Sequence, residues 1–238
     1  MAIEKQKITT NPCDRVHPPR VPKREMTFLS WEQAIDLAEA HSERYRPMIY
    51  LAVDAGIRWS ELIGLRRSRL DVRNHRVRVT DQLVRLDGGE WLRKEPKTPA
   101  SLRSVTISGF TADLLTRHLD QFAGDGPDGL VFPNAAGNPI ASSSFWNNHF
   151  RRAQERAGVC CRFHDLRHTS VALAIAEGSH PKAIQARMGH SSINVTLDRY
   201  GHLFPEIDES IAAAFGSRLV SAHAARKPVV VHASFGGS

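Results

Sequence analysis

Four polar groups near the carboxy-terminal end have types and spacing that suit a single kind of chemistry. They are His164 and Arg167 in His164-Asp165-Leu166-Arg167, then His190 after Gly189, then Tyr200. Two histidines, a forked cation and a phenol are together able to handle a single scissile phosphate. An H-x-x-R on its own carries little, because any arginine-rich helix produces one by chance. Here it runs straight into Val171-Ala172-Leu173-Ala174-Ile175-Ala176, an apolar stretch that reads as a buried helix. His164 and Arg167 then share one face of its first turn, with the core fixing their direction. Met188-Gly189-His190-Ser191-Ser192 ends one helix and starts the next, glycine suiting a C-terminal stop and serine a start, so His190 falls on a tight turn. Tyr200 falls at the end of a short helix, just before Gly201.

These segments resemble the catalytic half of the tyrosine recombinases, the phage-integrase family. Upstream, Ala55-Gly56-Ile57-Arg58-Trp59-Ser60-Glu61-Leu62-Ile63-Gly64-Leu65 resembles the box holding that family's first catalytic arginine, which falls on Arg58, with Glu61 on the acidic position that orients it. Lys97-Thr98-Pro99-Ala100-Ser101-Leu102-Arg103-Ser104-Val105-Thr106-Ile107 is similar to the β-hairpin carrying the catalytic lysine, which falls on Lys97. Every box stands in the expected order over roughly residues 25 to 205.

The resemblance implies a site-specific recombinase or integrase of a mobile DNA element, acting on double-stranded DNA with no metal and no cofactor. Its catalytic set is Arg58, Lys97, His164, Arg167, His190 and Tyr200. The fold implied is mainly α with a small antiparallel β-sheet. In such an enzyme the tyrosine joins to the DNA 3′-phosphate and releases a 5′-hydroxyl, and a partner 5′-hydroxyl later reverses the step.

The residue types suit that chemistry. Charge develops on the non-bridging oxygens of a phosphodiester under attack, and a guanidinium stays protonated and matches phosphate geometry where a lysine would not. His190 can donate a further hydrogen bond to the same phosphate. A phenol, with an ordinary pKa near ~10, needs a partner to take its proton, and the family analogy gives that role to His164. The leaving 5′-oxygen needs a proton, which the analogy assigns to Lys97. Type IB topoisomerases share this chemistry, and an inert DNA-binding integrase remnant is the non-enzymatic alternative. The spacing His164-x-x-x-His168 also approaches the H-E-x-x-H of zinc proteases. Asp165 is too short for that motif's base, however, and Arg167 between the histidines opposes a dication.

The elements that must position these groups are legible in outline. Residues 1–26, rich in proline and basic side chains, read as an irregular linker standing where the family carries a core-binding domain. Residues 27–205 read as the catalytic domain, 206–222 as a C-terminal helix and 223–238 as a loose tail. Within the domain Ser30 caps a helix of about 31–44, followed by helices over roughly 47–55 and 60–67. Alternation from Asp71 to Ile107, with a turn at Asp87-Gly88-Gly89, reads as a small antiparallel sheet. A helix follows over about 110–122, then a short strand at Leu130-Val131-Phe132 and a helix capped by Ser142 or Ser143 and reaching Ala157. The spacing of Ile207, Ile211, Phe215 and Leu219 is amphipathic. By family analogy this last helix docks on a neighbouring protomer in a tetramer on DNA, while packing on its own domain would give the same periodicity.

Charge and cysteine usage agree with this picture. Of a net +7, residues 58–103 hold twelve Lys and Arg against six Asp and Glu, and residues 151–203 eight against four, so the positive excess coincides with the motifs. Cys13, Cys160 and Cys161 do not have the spacing of a disulfide framework or a zinc site, which suits a reduced, intracellular protein. No apolar run reaches the ~18 residues that span a bilayer and no apolar signal core opens the chain. The expected location is the cytoplasm, at the nucleoid.

Overall fold

The computed structural model describes residues 8–10, 14, 16, 25–95, 98–204 and 208–225. Most of the 1–26 segment, Cys13, Lys97, Ile207 and the tail from residue 226 lie outside the described residues.

Three helices open the domain: α1 (Trp31–Glu39), α2 (Arg46–Ala55) and the single turn α3 (Trp59–Leu62). Ser30 caps α1 in a reciprocal box, its hydroxyl accepting from Gln33 N–H at 3.2 Å while the Gln33 side chain accepts from Ser30 N–H at 3.0 Å. The helix stops at Glu39 and not near residue 44. The His41 ring meets the Leu37 carbonyl at 2.7 Å, so a side chain occupies the acceptor that a further turn would use. Gly56 ends α2 in the left-handed conformation at φ 61°.

The alternating region makes two sheets. Strands β1 (Leu70–Asp71), β2 (Arg76–Val79) and β5 (Arg103–Thr106) pair antiparallel in the order β1-β2-β5, with Val77 opposite Val105. Strands β3 (Gln82–Arg85) and β4 (Trp91–Lys94) form a separate hairpin. The break falls at Thr80-Asp81, where the Asp81 carboxylate pairs with Arg66 and Arg93. Helix α4 (Gly109–Gln121) follows. Residues 130–132 are not a strand: Leu130 makes one isolated bridge to Arg66, and Val131 N–H donates to the Leu65 carbonyl. The segment it would pair with turns into a 3-10 helix at Arg67–Arg69 and offers no longer ladder. Ser142 is the first residue of α5 (Ser142–Phe145) rather than its cap; α5 continues through a π turn (Trp146–Phe150) into α6 (Arg151–Ala157).

Helix α7 (Phe163–Ala176) joins two apolar clusters. Its Leu166 belongs to the large core built from Leu37, Met48, Leu51, Leu62, Val77 and Phe145. Its Val171 and Ile175 belong to a second cluster with Ile184 and Met188 of α8 (Pro181–Met188) and Tyr200 of α9 (Ile193–Tyr200). Every polar group singled out on α7 to α9 therefore hangs from this shared helix or from elements packed against it. The last helix, α10 (Asp208–Ala224), leaves Phe215, Leu219 and Val220 exposed.

Candidate active site

Two glycine-capped helix ends meet around Arg167. Gly189, at φ 63°, ends α8 as Gly56 ends α2. Arg167 is buried between them and donates to the Gly56 carbonyl at 2.5 Å and the Met188 carbonyl at 2.6 Å. A cation satisfying the free carbonyls at two helix C-termini is stabilised by both helix dipoles. The two bonds use part of a five-donor guanidinium, so this side chain holds the scaffold together while its charge lies within reach of Arg58, Glu61 and Tyr200.

Arg58 sits at the start of α3, in extended conformation. Its N–H donates to Glu61 Oε2 at 2.9 Å and its guanidinium to Oε1 at 2.7 Å. This is not a solvated i,i+3 pair, because Glu61 is only 7% exposed. The carboxylate is also held from the other side by Arg103, whose two Nη atoms reach its oxygens at 3.1 and 2.8 Å. Burial alone would raise the Glu61 pKa; the hydrogen bonds and charge of Arg103, with Arg58 behind them, outweigh it and hold the group at about 2. Arg103 further donates to the Arg187 carbonyl at 2.9 Å, tying β5 to the end of α8. The Arg58 side chain remains about 33% exposed and is the accessible cation of the group.

His190 follows Gly189 directly. Its Nδ1 meets the buried Thr196 hydroxyl at 2.9 Å, which fixes the ring and leaves Nε2 as the nitrogen for a ligand. Burial first, then Arg167 and Arg58, push its pKa down to about 4. Arg58, Glu61, Gly189 and His190 line one cleft of about 330 Å³, together with Gln82 and Thr98. A larger cavity of about 810 Å³ is lined by Glu39 at the end of α1 and by Arg152, Glu155 and Arg156 of α6, and shares no residue with that cleft.

His164 and His168 stand one turn apart on α7, their rings edge-on with centroids 4.8 Å apart. The first turn of α7 is closed by Asp165, whose carboxylate accepts from Arg162 N–H at 2.7 Å and from its guanidinium at 2.6 and 3.0 Å. His164 is exposed, and its pKa is lowered by partial burial and then by Arg167. His168 is buried, and its Nδ1 meets the Tyr200 hydroxyl at 2.5 Å. Tyr200 itself is 1% exposed, and burial raises its pKa. Burying such a ring stabilises by about 1.5–3 kcal/mol and the hydroxyl contact by about 1 more, enough to anchor the end of α9.

Of the residues expected from the sequence, Arg58, Glu61, Arg167 and His190 converge through the two glycine turns. His164 and Tyr200 meet at His168, and Lys97 lies outside the described residues. Among the described residues no group of three His, Cys, Asp or Glu could hold a metal ion. The sequence did not mark Arg103 or the contact of His168 with Tyr200. The available signals were a second basic residue six positions after Lys97 and a second histidine one turn after His164.

Comparison with known proteins identifies the family and the fold. The integrase of Mycobacterium phage L5 is 28% identical over 217 residues, 90% of this chain and 58% of its own length. The ICEBs1 integrase of Bacillus subtilis is 27% identical over 222 residues, 89% of this chain and 60% of its own. The chain thus spans under two thirds of the length of these curated relatives. The Tn1549 transposon integrase, solved in complex with circular intermediate DNA, superposes with TM-score 0.70 at 24% identity over 83% of this chain and 68% of that one. The catalytic domain of bacteriophage HP1 integrase gives 0.54 at 21% identity, over 79% and 95%. Those two likenesses establish the fold. Residues 24–206, well over half of the sequence, match one family along their length, and the chain belongs to the phage integrase family.

Proposed function

We propose that this chain is the strand-transfer domain of a site-specific recombinase or integrase, cleaving and rejoining double-stranded DNA through a 3′-phosphotyrosine on Tyr200 without a metal ion. One observation carries the reading: Arg58 and Arg103 share a single carboxylate, Glu61, and the charges of all three act on the nearby buried Arg167. Burial, then Arg58 and Arg103, bring the Arg167 pKa down to about 9. Such a set is relieved by an anion, and a phosphodiester supplies one.

In this reading Arg58, Arg167 and His190 hold the non-bridging oxygens, more tightly as charge develops there. The Tyr200 oxygen attacks phosphorus, its proton leaves through the α7 histidines His164 and His168, and Lys97 protonates the departing 5′-oxygen. Thr98, which follows Lys97, lines the cleft, in support of that role. The DNA bound to the Tn1549 integrase supports DNA as the partner here. The exposed Phe215, Leu219 and Val220 of α10 support docking on another copy, as in a tetramer on DNA. Such a protein works where the chromosome is, at the nucleoid.

The test is covalent capture on a library of nicked duplexes of randomised sequence. The native chain should form an adduct, and Tyr200→Phe should bind DNA with nearly unchanged affinity and form none. An adduct from the Phe variant would remove Tyr200 from the mechanism. No adduct from the native chain would leave an inert DNA-binding remnant.

A further inference from the structure

Resting on the reading that Tyr200 attacks the phosphodiester, we propose that His168 is a catalytic residue: its Nδ1 accepts the phenolic hydrogen bond at rest and takes the proton as the Tyr200 oxygen bonds to phosphorus. The contact is 2.5 Å, and both residues are buried, at 5% and 1% exposure. Buried polar groups keep a partner, and here the imidazole is that partner, in the place water would take at a surface. Exposed His164 packs edge-on against the same ring and so links this buried pair to solvent.

The step balances without a further reactant. The tyrosyl O–P bond forms as the P–O5′ bond breaks, the phenolic proton ends on His168 Nδ1, and the 5′-oxygen leaves with a proton from the acid assigned to Lys97. His168 becomes an imidazolium. The groups acting on it are His164, Asp165 and Arg162 at the start of α7, and Arg199 with Tyr200 from α9. Burial first, then His164, hold it near 4, while Asp165 favours its protonated form. The imidazole is therefore neutral and free to accept. Burial keeps the phenol above its ordinary value, so at rest the proton stays on Tyr200 and the nucleophile is unreactive. A phosphate anion placed beside Arg58 and Arg167 opposes the positive field over the histidines and lowers the cost of the transfer.

A merely structural Tyr–His pair predicts something different for the substitution His168→Asn, which keeps an acceptor near the Nδ1 position but cannot take a proton. The experiment measures the adduct-forming rate on a nicked duplex selected from the randomised library, with DNA affinity alongside. The expected result is a rate loss of about 100-fold or more at nearly unchanged affinity, of which about tenfold returns when difluorotyrosine, a more acidic phenol, replaces Tyr200. A rate within about threefold of native overturns the proposal while leaving Tyr200 as nucleophile. So does an equal gain from the acidic phenol in both backgrounds. An inactive native chain overturns the strand-transfer reading, and this proposal with it. Should His168→Asn fail to fold, the ¹⁵N resonances of the native His168 ring decide. A hydrogen-bond-accepting Nδ1 beside a protonated Nε2 is required, and a proton on Nδ1 in the free chain overturns the assignment.

Discussion

Glu61 shows how a single carboxylate holds two arginines, Arg58 and Arg103, in place beside a third, Arg167. With its pKa at about 2 in the folded chain against an ordinary 4.5, its contribution to stability is complete above pH 4.5 and is lost as pH falls toward 2. A shift of that size corresponds to roughly 3 kcal/mol. Urea unfolding at stepped pH should therefore show the native chain losing about that much across the window. Glu61→Gln should start lower by about 3–5 kcal/mol, because Arg103 is left buried without its charge partner, and should lack this portion of the acid loss. Parallel acid profiles for the two proteins would mean that the carboxylate is not held low. Arg103 had no visible role in the sequence for the same reason: an arginine in a strand declares nothing until the fold brings Glu61, 42 positions away, to its fork.

At the scale of elements, the site is assembled by turns. Gly56 and Gly189 combine a left-handed φ with close neighbours: an added Cβ would stand 2.4 Å from Met188 Cε in one case and 2.9 Å from the Ala100 carbonyl in the other. Gly158 has the same conformation, φ 65°, in open space. Alanine at Gly158 should cost about 1–2 kcal/mol, the strain of the conformation alone. Alanine at Gly189, whose close neighbour is backbone, should cost more, and at Gly56 by a smaller margin because the flexible end of Met188 can shift; both should also slow the proposed DNA cleavage, since Arg167 and His190 hang from those turns. Equal thermal shifts for all three would mean that the close approach is unimportant. These turns were legible because their signals are local: Gly189 before His190, Gly56 before Arg58, Ser30 before α1. The expected strand at Leu130-Val131-Phe132 failed because pairing depends on a partner, and Leu65-Arg66 turns away after one bridge. The α1 end failed because His41 reaches back to Leu37, a contact that hydrophobic spacing does not encode. In the sequence His168 drew notice only through a zinc-like spacing that Asp165 and Arg167 argue against, because its partner, Tyr200, is 32 positions downstream.

Across the whole molecule, the two segments that hold the positive excess, 58–103 and 151–203, are the ones that supply the residues lining the cleft. Not all of those cations are available to DNA. Arg66 is engaged by Asp81 and Asp128, whereas Arg58 keeps a third of its side chain accessible. Log affinity for duplex DNA should fall with log salt by about 0.9 for each phosphate contacted, and Arg58→Ala should reduce that slope by about one contact. Arg66→Ala should leave it nearly unchanged; an equal reduction from both would place the phosphates elsewhere. The double duty of Arg167 has a further consequence for pooled variant libraries. A substitution there that removes the donors strands two buried carbonyl acceptors, at roughly 1–3 kcal/mol each, so such variants should drop out of a screen for cellular abundance alone. Arg58 variants, with Glu61 still held by Arg103, should pass that screen and vanish only under selection for recombination. Two arginines proposed for one phosphate would then carry different signatures of constraint, one written in protein level and the other in turnover.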